Sequence, residues 1–346
     1  MHQTRFQEGE PPALEPGQAL LGVDLFGLTT NNITYLVMGE AMNYWKFFPA
    51  EEPWGHMPVW GFADVVASEA EGVPVGTRVY GYFPSASYLV VRPDRASDTD
   101  FIDATPHRRE LPAAYNRYLR TDGNEMYEEE NEDYEILLWP LYFTSFLIDD
   151  FLHDEGMFGA ATAILSSASS RTSSALAYLL KQRDGIKVVG LTSPRNVEFT
   201  ESLGVYDKVV PYEQLDSLAR EPVVYVDMSG DAKVRSAVHG HFADELKHDA
   251  MVGITHHDEL GGGSELPGPE PVFFFAPTRL EKRNEDWGAE GVNQRLADSW
   301  KPYVEWLRGW LQVEHGSGRE DLERIYRELL DGKSDPAVGH VLSPGD

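Results

Sequence analysis

The feature that most constrains what this chain can fold into is a regular alternation between residues 161 and 256: short apolar runs rich in β-branched residues, separated by amphipathic helical segments. ATAILSS, KVVGLTS, KVVPY, VVYVDMSG and AMVGITH read as strands. SSALAYLLKQ, NVEFTESLG and DAKVRSAVHGHF lie between them with helical spacing. Strands that are apolar nearly throughout and alternate with helices predict a parallel sheet covered on both faces.

The first part of the chain is written differently. From Gln18 to Pro93, short β-rich runs punctuated by Gly and Pro predict a small β-barrel or sandwich. Residues 122–135, DGNEMYEEENEDYE, hold many acidic groups and no basic one, so a solvated loop or mobile insertion is expected there. PLYFTSFLIDDFL then reads as an amphipathic helix. From Leu260 on, a Gly/Pro-rich loop, the apolar run VFFFAP and two amphipathic helices are expected. These shifts divide the chain into a β-rich domain over 1–138, an α/β domain over 139–277, and a helical segment over 278–346 expected to return to the first domain.

Composition removes several function classes. The 346 residues, 42% hydrophobic, suffice for two domains. With no cysteine there can be no disulfide, thiolate nucleophile or cysteine-held zinc. Against 29 basic residues stand 57 acidic ones, a formal charge of −28 that repels nucleic acid and anionic membranes, so neither is expected as a partner. No apolar run is long enough to span a bilayer, and the first residues lack the plan of a signal peptide. A soluble, cytoplasmic protein is expected.

The turn after the first strand of the α/β region is the natural place for a phosphate, because free backbone N–H groups converge there. Here it reads Ser166 to Ser174 with no glycine, so the usual dinucleotide fingerprint is missing. Ala168, Ser169, Ser170, Arg171 and Thr172 still offer small side chains, hydroxyls and a guanidinium, which suit a pyrophosphate or equally a well-capped helix start. The second strand ends in Thr192, Ser193 and Arg195 where a ribose-selecting acid would stand, a pattern that suits a 2′-phosphate; a solvated arginine is the plainer alternative. Asp227 and Ser229 close the strand VVYVDMSG, either along the cofactor path or as a turn. Thr255 ends the last strand, where with Ser229 it is expected to hold the nicotinamide end of the cofactor.

The order of these pieces resembles the medium-chain dehydrogenase/reductases, particularly their zinc-independent quinone and enoyl reductase branch. MPVWGFADVVASEAEGVPVGTRVYGYFPSASYLVVRPD looks like the family's N-terminal signature, AILSSASSRTSSALAYLLK stands at its Ala-Ser-Gly-Gly-Val-Gly loop, and KVVGLTSPRNVEFTESLGVYDKVVPYEQL follows its second strand, helix and third strand. The chain is more similar still to the DUF2855 subgroup, through LTTNNITY, YWKFFPA, WGHMPVWGF, LTSPRN and VFFFAP. The resemblance implies an α/β protein made of an N-terminal GroES-like β-barrel domain and a Rossmann-like, doubly wound parallel sheet domain. Phe62 follows Gly61 where zinc-dependent members carry His-Glu, so no metal is expected.

The same resemblance implies NADP(H) as cofactor and hydride delivery to an enone, enoyl or quinone substrate, apolar or planar in shape. Tyr35 and Asn32 correspond to the family's Asn-to-Tyr region facing the nicotinamide. Tyr35 is expected to donate to the substrate and Asn32 to orient it; a packed barrel tyrosine is the alternative. Thr144 resembles a threonine that starts the family's bridging helix and meets the nicotinamide side, and Tyr212 a tyrosine near the adenosine phosphate. An aromatic group of Tyr44, Trp45, Phe47, Phe48, Trp54 and Trp60 lines a pocket or packs a core. VFFFAP resembles the strand through which members pair as homodimers. The rival readings are a fold whose cofactor site has changed or been lost, serving non-redox chemistry, and a non-catalytic module that senses nucleotides or binds a partner.

Overall fold

Seven strands precede the first long helix: β1 (Ala19–Leu28), β2 (Pro58–Ser68), β3 (Arg78–Pro84), β4 (Tyr88–Val91), β5 (Pro93–Asp94), β6 (Asp100–Asp103) and β7 (Arg117–Arg120). A short helix, α1 (Thr30–Val37), lies between β1 and β2, and α2 (Glu132–Asp154) follows β7. Strands and helices then alternate through β8 (Thr162–Leu165), α3 (Arg171–Lys181), β9 (Lys187–Thr192), α4 (Val197–Ser202), β10 (Lys208–Pro211), β11 (Val223–Asp227), α5 (Ala232–Phe242) and β12 (Leu246–Met251). After these come β13 (Val272–Phe273), α6 (Ala276–Arg308), β14 (Gln312–Ser317), α7 (Gly318–Leu330) and β15 (Val338–Ser343). The structure, a computed structural model, describes residues 1–124, 126–252 and 266–345. Thr255, expected at the cofactor, lies outside the described residues.

The chain forms two units: Met1–Leu137 with Leu311–Asp346, and Leu138–Trp310. The segment expected to return as a whole from residue 278 therefore divides, with α6 in the second unit and β14, α7 and β15 in the first.

The first unit is built on a nine-stranded sheet in the order β14-β15-β1-β2-β3-β7-β6-β5, with β4 pairing β1. All its ladders are antiparallel except β14 with β15. Gly61 on β2 is required by close approach, because a Cβ there would stand 2.1 Å from the Leu25 carbonyl oxygen. A core of Leu21, Phe26, Val59, Val79, Phe83 and Phe101 fills the unit, closed by Ile325 and Leu329 of α7. Each such side chain contributes roughly 1.5–3 kcal/mol when fully buried.

The acidic stretch 122–135, expected as a solvated insertion, is in part an anchored helix start. Glu132 and Glu135 in the first turn of α2 are only 7% exposed. Glu132 takes a two-pronged ion pair from Arg78, Nε to Oε1 at 2.6 Å and Nη2 to Oε2 at 2.7 Å. Arg78 also donates to Asp64 at 3.0 Å and to Asp24 at 2.8 Å. One guanidinium on β3 thus ties β1, β2 and α2 together, a geometry that Arg alone supports. Acidic residues in a first helical turn are further favoured by the helix dipole.

The second unit holds a parallel sheet in the order β10-β9-β8-β11-β12-β13. Counted from β8, this is 3-2-1-4-5-6, the doubly wound arrangement whose switch point falls between its first and fourth strands. Leu176, Ala177 and Leu180 of α3, with Ile148 and Leu152 of α2, pack on Ala163, Leu165, Val224 and Val226. Val238 and Phe242 of α5 pack with Ile164, Val189, Leu191 and Tyr225 in a second cluster. Two separate clusters from alternate residues of the same strands are what a sheet covered on both faces requires. The N-terminal half of α6 is held to α2 by Arg279 and Arg283, which both donate to Asp150.

Candidate functional site

Two constellations carry the chemistry-bearing residues, one in each unit. In the second unit, β8 ends at the switch point and leads into α3 through Ser166 to Ser170. Ser166 is fully buried and its hydroxyl donates to Asp227 Oδ1 at 3.0 Å while accepting from the Met228 and Ser229 N–H groups. Ser167 has φ +48°, the left-handed region that glycine takes most readily, and its N–H donates to the Tyr212 hydroxyl at 2.9 Å. The loop therefore makes the turn a glycine would make, with a serine held in place by Tyr212.

Ala168 is fully buried against Gly190, where an added Cβ would stand 2.8 Å from the Ala168 Cβ. Gly190 on β9 is thus the glycine of this site; it sits on the neighbouring strand and lets the loop lie close. Ser169 Oγ accepts from Asn196 Nδ2 at 2.9 Å and from the Thr192 hydroxyl at 3.3 Å. Ser170 caps α3, accepting from the Ser173 N–H at 3.2 Å. The backbone N–H groups of Ser169 and Thr172 have no acceptor among the described residues. Arg171 is the first residue of α3, and burial pulls its pKa down to about 10, since the charged form is poorly solvated there.

Ser193, at the end of β9, has a buried hydroxyl without a partner among the described residues, and Arg195 beside it is exposed. Asp227 is used up internally: Oδ1 accepts from Ser166, from the N–H and hydroxyl of Ser229 and from the Gly230 N–H, and Oδ2 takes two bonds from Arg235, at 3.0 and 2.7 Å. It locks the ends of β8 and β11 together and leaves no oxygen for a ligand. Thr144 sits in the middle of α2 and not at its start, its hydroxyl donating to the Pro140 carbonyl at 3.1 Å. Its neighbour Ser145, fully buried, donates instead to the Thr172 carbonyl at 2.8 Å and steadies the start of α3.

The second constellation lies in the first unit. Thr29 and Asn32 form a capping box at the start of α1: Asn32 Oδ1 accepts from the Thr29 N–H at 2.7 Å, and its Nδ2 donates to the Pro58 carbonyl at 2.8 Å. Asn32 Oδ1 and one Nδ2 hydrogen are thereby engaged in capping α1 and in holding it to β2.

Tyr35, one turn on, is 5% exposed. Its ring packs against Tyr44 at 4.8 Å and Tyr82 at 5.4 Å. Its hydroxyl accepts from Asn31 Nδ2 at 2.8 Å and from Trp60 Nε1 at 3.0 Å. Both lone pairs are taken, while its own proton has no acceptor among the described residues. The packing is that of a barrel tyrosine; the free proton is what makes it chemically interesting.

Around Tyr35 the phenols converge. Tyr44 and Tyr115 share a hydrogen bond of 3.1 Å, and the Tyr82 hydroxyl is buried without a partner among the described residues. Trp60 lies over Tyr82 at 5.1 Å and stacks on Tyr80 at 5.7 Å. Burial pushes Tyr35, Tyr44, Tyr80, Tyr82 and Tyr115 above the ordinary phenol range. Of the aromatic residues grouped from the sequence, Tyr44, Phe47, Phe48 and Trp60 join this cluster, whereas Trp45 packs against Gly39 and Gly55. Tyr80, Tyr82, Tyr115 and Glu135 were not picked out from the sequence. The two-residue spacing of Tyr80 and Tyr82 on β3 was the available signal, since it puts both on one face.

The model of the family described as "Protein of unknown function (DUF2855)" matches residues 26–335. A search of the curated proteins finds no match. Among solved structures, the chain is similar to CurA from Vibrio vulnificus in complex with NADPH, with TM-score 0.60 and 14% identity, over 98% of this chain and 94% of that one. It is similar to the YhdH oxidoreductase from Salmonella enterica in complex with NADP, with TM-score 0.57 and 15% identity, over 97% and 94% of the two chains. A candidate NADPH:quinone reductase from Mesorhizobium loti aligns with TM-score 0.57 and 13% identity, over 96% and 88%.

Proposed function

Because the chain belongs to the DUF2855 family and carries the fold of the medium-chain dehydrogenase/reductases, we propose that it is a zinc-independent, NADPH-dependent oxidoreductase that reduces an activated carbon–carbon double bond or a quinone. The observation that carries this reading is the loop at the switch point. It keeps the left-handed turn at Ser167, leaves the Ser169 and Thr172 N–H groups without acceptors among the described residues, and follows β8, whose neighbour β9 ends at a buried Ser193 hydroxyl with no partner among them. Orphaned donors at a helix start suit a pyrophosphate, and a hydroxyl with an arginine nearby suits a ribose 2′-phosphate. The residues present therefore fit a phosphorylated dinucleotide without a glycine fingerprint.

Bound there, the reduced dinucleotide would supply a hydride. The chain's own residues would do the rest: Ala168 and Ser170 shape the loop, Ser169, Arg171 and Thr172 meet the pyrophosphate, Ser193 and Arg195 meet the 2′-phosphate, and Tyr212 and Asp227 hold the strand ends that carry Ser229. In the first unit Tyr35 would donate its free proton as a hydrogen bond to the substrate oxygen, which becomes more basic as negative charge develops. The aromatic rings around it suit an apolar, planar substrate.

Titration of the protein with NADPH and NADH, followed by nicotinamide fluorescence, tests the reading: NADPH should bind and NADH bind more weakly. Failure of both to bind at millimolar concentration would overturn it. The exposed edge of β13 is proposed to meet a second copy of the chain.

A further inference from the structure

A serine standing where a glycine is usual brings a hydroxyl oxygen and a proton into a loop, and the folded chain has to direct both. Between β8 and α3 the backbone donors are nearly all engaged. The Ser166 N–H reaches the Val226 carbonyl at 3.2 Å and the Ser167 N–H the Tyr212 hydroxyl at 2.9 Å. The Ala168 N–H reaches the Leu191 carbonyl at 3.0 Å and the Ser170 N–H the Ser167 carbonyl at 2.7 Å. Of residues 166–170, Ser169 alone keeps an N–H with no acceptor among the described residues.

Its hydroxyl proton is in the same condition, for a different reason. Two donors converge on Ser169 Oγ: Asn196 Nδ2 at 2.9 Å and the Thr192 hydroxyl at 3.3 Å. A hydroxyl oxygen has two lone pairs, so both are occupied and what remains is the proton. That proton has no acceptor among the described residues. Both donors are firmly placed. Thr192 is 1% exposed at the last position of β9. The Asn196 backbone is held at both its polar groups, its N–H on the Ser193 carbonyl at 3.0 Å and its carbonyl under the Thr200 hydroxyl at 2.7 Å. Hydrogen bonds received by an oxygen also polarise its own O–H and strengthen it as a donor.

We propose that Asn196 and Thr192 fix the polarity of this loop: by filling both lone pairs of Ser169 they make its hydroxyl a donor only, and this O–H together with the Ser169 N–H takes one phosphate group of the dinucleotide. The inference rests on the reductase reading above and deepens its account of the cofactor. The chemistry recognised is an oxyanion that only accepts, met by two donors of one residue. A glycine at 169 would offer the N–H alone. Asn196 is a positioning residue in this arrangement, because it reaches the ligand only through Ser169.

Calorimetric titration with adenosine 5′-diphosphate and with adenosine 2′-monophosphate, each against adenosine, reads this without turnover. Ser169→Ala should weaken the phosphate it meets by about 10-fold or more, the worth of a hydrogen bond to a charged group, and leave adenosine unchanged. A loss confined to the diphosphate places Ser169 at the pyrophosphate, and one confined to the 2′-monophosphate places it at the ribose phosphate. Either supports the proposal, and no loss with either overturns it. Asn196→Ala and the isosteric Thr192→Val should each weaken the same probe several-fold and change nothing in a Ser169→Ala background, a non-additivity that lost stability does not produce. Equal losses in both backgrounds would overturn the role given to these two residues. NADPH titrated against the same set separates the two readings. A wild type that binds neither NADPH nor an adenosine phosphate overturns both; NADPH bound equally well by wild type and Ser169→Ala overturns this inference and leaves the reductase reading standing.

Discussion

At the scale of single residues, Glu135 makes stability depend on pH in a direction opposite to most carboxylates. Its folded-state pKa, about 8, stands above the ordinary value of 4.5, so the folded chain holds a proton that the unfolded chain has released. The resulting stabilisation is complete below pH 4.5 and is lost as pH rises through 8. At about 1.4 kcal/mol per pK unit this amounts to a few kcal/mol, and urea unfolding at pH 5 and pH 8.5 should show wild type losing that much more than Glu135→Gln. Equal losses would show that the carboxyl is solvated. Arg195 supplies a second test at this scale. It stands beside the Ser193 hydroxyl, which has no partner among the described residues, at the end of β9, where a 2′-phosphate would come. Arg195→Ala should weaken NADPH by roughly 1–3 kcal/mol, the worth of a charge-assisted bond, and leave NADH nearly unchanged; a calorimetric titration showing equal losses would rule out this contact.

At the scale of elements, the loop between β8 and α3 depends on its neighbour β9. Gly190→Ala would push a methyl to 2.8 Å from the Ala168 Cβ and 2.9 Å from the Tyr206 ring. Overpacking of that kind costs about 1–3 kcal/mol, and because it lifts the loop it should weaken NADPH binding beyond what the stability loss explains. Ser167→Gly should act the other way, stabilising by about 0.5–1 kcal/mol, since glycine adopts φ +48° without strain; thermal denaturation would show it as a higher midpoint. This loop was legible in the sequence because strand and helix periodicity bracket it, and the alternation from β8 to β12 was legible for the same reason. The start of α2 was not. Composition made 122–135 look solvated, and Pro140 looked like a helix start, whereas Arg78, far away in sequence, supplies the charge that buries Glu132 and lets the helix begin there. Thr144 was misplaced by that same error. Tyr35 could be found from its motif, but the anchoring of Asn32 and the saturation of Asp227 could not, because their partners at Pro58, Ser166 and Arg235 come together only in the fold.

At the scale of the whole molecule, the parallel sheet has two edges, and they are protected to different degrees. The β10 edge carries an exposed Lys208 and ends in Pro211, two devices that discourage strand addition. The β13 edge carries Val272 at 51% and Phe273 at 40% exposure, with Phe275 at 51% just beyond it at the start of α6, large apolar side chains with no charge among them. An edge of that kind either aggregates or is covered, and a second copy across a two-fold axis would cover both edges with the same contact. The expected species at micromolar concentration is a homodimer. The formal charge of −28 on each chain opposes association, so the dimer should tighten as salt screens the repulsion, the reverse of an interface held by opposite charges. Phe273→Glu places a carboxylate on the edge without disturbing the core, since this side chain is already exposed, and should give a folded monomer by light scattering. Val75→Glu, at a residue 63% exposed in the other unit, should leave the dimer intact. A wild-type monomer at both low and high salt, or a Phe273→Glu dimer as tight as wild type, would show that this edge is not the meeting surface.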